Sequence, residues 1–132
     1  MASILRTAAT LDHLIGDALK PYGLTGAQYN ALRILRGAGG QGLCGREVGE
    51  RLISQVPDVS RLLDRMEEVG LVSRERDPND RRHVTARISD EGLRLLGRAA
   101  PLLWEIEQRR FGRLGKEELG ALIELLGTVR EG

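Results

Sequence analysis

The chain has 132 residues, 41% hydrophobic and 30% charged, which is the composition of one globular domain with a buried core. Its 20 Lys and Arg against 19 Asp and Glu leave a net charge of +1, so bulk charge does not mark it as a nucleic-acid coat, and any such surface must come from local placement. No apolar run approaches a membrane span, no secretory leader is visible, and the single Cys44 excludes an internal disulfide and fits a cytoplasmic protein.

The first helix is expected over Ser3–Lys20, where Ile4, Leu5, Ala8, Leu11, Leu14, Ile15, Ala18 and Leu19 recur at helical spacing and Pro21 and Gly23 end it. Thr25-x-x-Gln28 is a capping box for a second helix, with Leu24 and Tyr29 placed as a hydrophobic staple. That helix runs through Leu32 and Leu35 to the Gly37–Gly40 stop, and a flexible loop to Gly45 holds Cys44. Arg46–Ile53 reads as a short helix with Val48 and Leu52 inward, followed by a Ser54-Gln55-Val56 turn.

Pro57 suits the first position of the next helix, Gly70 its left-handed stop, and Val59, Leu62, Leu63, Met66 and Val69 its apolar stripe. Leu71–Arg76 and His83–Ile88 are strand candidates, joined by the turn-forming Asp77-Pro78-Asn79-Asp80 and then Arg81-Arg82. Ser89 is a good N-cap for a long helix carrying Leu93, Leu96, Ala100, Leu103, Trp104 and Ile106, with a kink expected near Gly97–Pro101. Phe111–Gly115 breaks the chain before a last helix, Lys116–Arg130, with Leu119, Leu122, Ile123, Leu126 and Val129 on one face.

An amphipathic helix leading into a ribbon with a basic tip suits double-stranded DNA. The helix has the size of a major groove, and a thin ribbon fits along a minor groove, whose negative potential favours guanidinium. Asp80 is placed to hold the tip arginines outward by accepting from Arg82 or from the loop backbone.

The run Arg61–Leu95, with Asp80-Arg81-Arg82 as an Asp-x-Arg at the wing tip, resembles the recognition helix and wing of MarR-type regulators. Leu24–Tyr29 with Leu32 and Leu35 resembles the family's second helix, and the likeness extends over nearly the whole chain. It implies a mainly α (α+β) fold: a single domain with a winged helix-turn-helix at about residues 25–92 and dimerisation helices at about 3–20 and 100–130. It further implies a sequence-specific DNA-binding transcription regulator, a repressor released by a small-molecule effector, acting as a cytoplasmic homodimer on a palindromic operator. No cofactor, metal or enzymatic activity is expected; the two histidines and one cysteine form no ligand set.

The expected DNA-binding residues are Pro57, Asp58, Ser60, Arg61, Arg65, Arg74, Arg76, Asp80, Arg81, Arg82 and His83. Pro57 and Asp58 stand where many family members carry small hydroxyl residues and Lys, and Asp58 would repel phosphate unless it caps the helix or accepts from a cytosine amine. Arg61 and Arg65 are either base-reading arginines or surface partners of Asp58, Asp64 or Glu68; Arg81 and Arg82 are either DNA contacts or an ordinary solvated tip. His13, Tyr22 and Tyr29 are candidates for an effector crevice between dimer region and DNA-binding lobe, or packing residues. Some relatives sense peroxide through a first-helix cysteine that is absent here; Cys44, with Arg46 near to stabilise a thiolate, is either a redox sensor or a small core filler. A winged helix used for protein contacts is the remaining alternative.

Overall fold

Six helices and one small sheet follow each other in the order α1 (Ala2–Leu19), α2 (Gly26–Ala38), β1 (Leu43–Cys44), α3 (Gly45–Arg51), α4 (Val59–Glu68), β2 (Val72–Arg76), β3 (Val84–Ile88), α5 (Asp90–Phe111) and α6 (Lys116–Glu131). This architecture comes from a computed structural model that describes every residue, Met1–Gly132. No helix is long and apolar enough to cross a membrane.

The capping box of α2 forms as its residues dictate: the Thr25 hydroxyl accepts from the Gln28 amide at 3.2 Å, and the Gln28 side chain accepts from the Thr25 amide at 3.0 Å. Leu24 and Tyr29 both sink into the core, as a staple requires. At the start of α3 the backbone N–H of Cys44 donates to the Glu47 carboxylate at 3.1 Å, and at the start of α6 that of Gly115 donates to Glu118 at 2.9 Å. Ser89 caps α5 by accepting from the Gly92 amide at 3.0 Å.

The sheet is antiparallel with strand order β1-β3-β2. Val72 pairs with Ile88, Arg74 with Ala86 and Arg76 with Val84, so β2 and β3 form the wing, and β1 adds Leu43 opposite Ala86. The expected flexible loop Gly39–Gly45 is thus a 3₁₀ turn, Gly39–Gln41, followed by a strand. Period-2 patterning does not register in a two-residue strand, which is why only the pairing with β3 reveals it.

The core lies where α2, α3, α4 and α5 meet the sheet. Leu19, Leu32, Leu35, Val48, Met66 and Leu96 are fully enclosed, and no polar or charged residue is buried. Two expected faces are corrected. Val69 follows the last turn of α4 and is 64% exposed. On α5 the inward residues are Gly92, Leu96, Ala99 and Leu103, while Leu93 and Trp104 face out; the helix runs unbroken through Pro101.

Gly92 is inward because nothing larger fits. A Cβ there would lie 2.3 Å from the Leu71 carbonyl oxygen and 2.8 Å from the Ile88 side chain. The terminal helices are the opposite case: α1 buries only Leu19, and α6 buries nothing.

Gly92→Ala should therefore destabilise the fold. Overpacking costs about 1–3 kcal/mol, against a helix-propensity gain of up to about 1 kcal/mol. The check is a lower denaturant midpoint at unchanged slope. The Cys44 amide, the largest cause, holds the Glu47 carboxyl below its ordinary range. A depressed folded-state value stabilises above the ordinary carboxylate range, and that contribution is lost as pH falls through the folded value. Thermal unfolding of Glu47→Gln and wild type should accordingly differ near neutrality and converge in acid.

Candidate nucleic-acid interface

Three pieces form one face of the protein: the turn between α3 and α4, the outer side of α4, and the wing. The turn is held from outside itself. Asn30 on α2 accepts the Ile53 backbone N–H at 2.7 Å, across 23 residues of chain. Neither the brace nor the 87% exposure of Ile53 has a sequence signal, since both depend on how α2 packs beside α3.

Helix α4 starts two residues later than its proline suggested, at Val59. Pro57 lies outside the helix, and Asp58 is the N-cap, accepting the Arg61 amide at 3.0 Å. A carboxylate at this end also complements the helix dipole, so Asp58 has a local structural reason to be acidic. Ser60, Arg61 and Arg65 are exposed along the helix, and neither arginine pairs with Asp58, Asp64 or Glu68. Both guanidiniums are free.

Between α3, α4 and the wing runs a cleft of about 1140 Å³, walled by Ser60, Asp64, Glu67, Arg76, Arg82 and His83 among others. Arg74 lies in its wall but is not a free cation. Its Nη2 donates to the Asp64 carboxylate and to Glu67 Oε1 at 2.9 Å, its Nε donates to Glu67 at 3.3 Å, and its backbone N–H reaches Glu67 Oε2 at 3.2 Å. Its side chain is only 20% exposed. The Glu67 hydrogen bond, then that of Asp64, raises the guanidinium above its ordinary value against the opposing effect of partial burial. Arg74, expected among the DNA-binding residues, has its Nε and Nη2 donors engaged by α4. The sequence does not disclose this, because Asp64 and Glu67 meet β2 only once the wing folds back on the helix.

The other wing residues divide similarly. Arg76 donates to the Arg81 carbonyl and braces the tip from the strand side. Asp80 works through backbone: its carboxylate accepts the Arg82 amide at 3.1 Å and its carbonyl accepts the His83 amide at 2.9 Å. Asp77 accepts from Asn79 at 2.8 Å, and the His83 carbonyl accepts the Asp77 amide at 2.8 Å. The side chains of Arg81, Arg82 and His83 are exposed, and none pairs with a carboxylate. The tip is a hydrogen-bonded turn presenting two unpaired guanidiniums.

The remaining candidates fall elsewhere. His13 is exposed on α1 and sits 3.2 Å from Asp17. Tyr22 is half-buried in the 3₁₀ turn after α1, and Tyr29 is a core residue at 8% exposure. Cys44 is half-buried in the cleft wall. Arg46 is engaged by Glu50 at 2.9 Å. No group of three or more His, Cys, Asp or Glu converges as a metal site.

The family model described as MarR family matches residues 22–83, which span α2 to the wing tip. The helix-turn-helix-type transcriptional regulator YkoM of Bacillus subtilis is 32% identical over 115 residues, 87% of this chain and 73% of that protein. Transcriptional regulator HosA of Escherichia coli is 32% identical over 118 residues, 89% of this chain and 82% of that protein. Among solved structures, a cysteine-to-serine variant of Escherichia coli MarR complexed with operator DNA superposes with a TM-score of 0.84 at 26% identity, covering 97% of this chain and 91% of that one. With the recognition helix, the braced wing and this extent of likeness together, the chain belongs to the MarR family, whose members are transcriptional regulators and not enzymes.

Proposed function

We propose that this protein binds a twofold-symmetric DNA site as a homodimer and represses transcription until an effector releases it. The observation that carries the reading is the partition of arginines: Arg61, Arg65, Arg81 and Arg82 are exposed and unpaired on one face, while Arg74 and Arg76 are held by the protein. Free guanidiniums on a helix of groove size and on a hydrogen-bonded tip are what base edges and phosphates require. Ser60 stands beside Arg61 as a further polar contact, and Pro57, Asp58 and Asp80 serve by setting backbone. His83 adds a phosphate contact at the tip. The operator-bound relative supports the same mode of binding.

The dimer follows from the terminal helices. Leu5 is 61% exposed, Trp104 60%, Ile123 67%, Leu125 66% and Val129 64%, and α6 has no buried residue in its own protomer. Apolar faces on this scale need a partner surface, and a second copy supplies a self-complementary one. Two α4 helices held about one helical turn apart then meet successive major grooves, and two wings meet flanking minor grooves. An effector acts by binding one spacing of the two lobes better than the other. A regulator of this kind works in the cytoplasm, beside the chromosome.

Selection from a random duplex pool should return a palindrome, and affinity for it should fall steeply with salt. A pool that yields no enriched duplex would overturn the reading in favour of a protein-contact role. Arg82→Ala should weaken binding to the selected duplex by about 1–3 kcal/mol while the dimer persists. Ile123→Glu should shift sedimentation to the monomer, redden the fluorescence of the single Trp104 and weaken duplex binding together.

A further inference from the structure

We propose that Arg74 is a positioning residue for DNA binding: without touching DNA, it offsets the two carboxylates that α4 turns toward the cleft. This rests on the DNA-binding reading above and deepens it. From its cap to its last turn, α4 carries Asp58, Asp64, Glu67 and Glu68 against only Arg61 and Arg65. A helix with that balance is repelled by the phosphates it must approach. Asp58 is occupied as the cap. Asp64 and Glu67 line the cleft beside Arg82 and His83, within range of any phosphate bound there, because exposed charges interact over roughly 10 Å at moderate salt.

Arg74 meets both carboxylates with one guanidinium. Its planar fork suits this role where an ammonium does not. The same group has a mechanical consequence. Strand β2 is an edge of the sheet, and its Arg74 amide faces away from β3 and donates to Glu67. Side chain and backbone together therefore tie the wing root to the middle of α4.

The test uses the full-length protein and the selected duplex. Arg74→Met leaves two unpaired acids in the cleft and should weaken binding by at least about tenfold, as like-charge juxtaposition at an interface does. Adding Asp64→Asn and Glu67→Gln to Arg74→Met removes the repulsion and should restore affinity to within roughly threefold of wild type, since each mispaired charge and not the arginine itself is then the cost. A triple variant that binds as weakly as Arg74→Met, or fails to fold, would overturn the inference, because a direct phosphate contact or a purely structural tie is not rescued by carboxamides. The triple variant decides the matter even if Arg74→Met alone is unstable. If the wild-type protein itself binds no duplex, the DNA-binding reading fails instead, and the two failures are distinct.

Discussion

The chain leaves the recognition helix, builds the wing and returns to α5 through one small joint, and the rest of the DNA-facing architecture depends on it. Gly70 takes φ 79°, a left-handed conformation that ends α4 at no steric cost. Nineteen residues later the Ser89 hydroxyl donates to the Gly70 carbonyl, and the Ser89 amide donates to Leu71 O at 3.0 Å. Gly92 then lets α5 lie against that same Leu71 carbonyl. Leu71 and Val72 are buried beside the joint, so the two ends of the wing are closed by hydrogen bonds and sealed by packing. A wing rooted this firmly can stay exposed at its tip without drifting relative to α4.

From that root the charges sort themselves by what reaches them. Arg74, two residue pairs beyond Val72–Ile88, meets Asp64 and Glu67. Arg76, further out, serves a backbone carbonyl. At the tip neither Arg81 nor Arg82 pairs with a carboxylate, and Asp77 and Asp80 each accept a turn amide through Oδ1. The gradient from locked to free along one short hairpin is a consequence of distance from α4. It explains how a chain of net charge +1 presents a locally cationic edge.

The terminal helices obey a different logic. The compact lobe closes with no buried polar group, so it needs nothing more from α6. Ile123, Leu125 and Val129 of α6, and Ile4 and Leu5 in the first turns of α1, are left exposed. Homodimers are typical of the MarR family, and exposed apolar side chains of this kind are what a second protomer would cover.

Local rules settled much of this protein in advance. The Thr25–Gln28 box, the Gly70 stop, the Ser89 cap and the turn at Asp77–Asp80 each depend on residues within a few positions of one another, so they were legible in the sequence, as was the wing-tip role of Asp80 and the family likeness built from them. Position within a helix was less legible: Pro57 fits either just inside or just outside a helix start, and only the Asp58 cap distinguishes them. What tertiary structure alone decided are matters of contact across long separations: strand β1 on β3, the Asn30 brace of Ile53, the inward face of α5, and the capture of Arg74 by α4. An arginine's type says that it carries charge; whether the charge is available depends on which carboxylates the fold brings within hydrogen-bond reach, and no spacing rule along the chain encodes that.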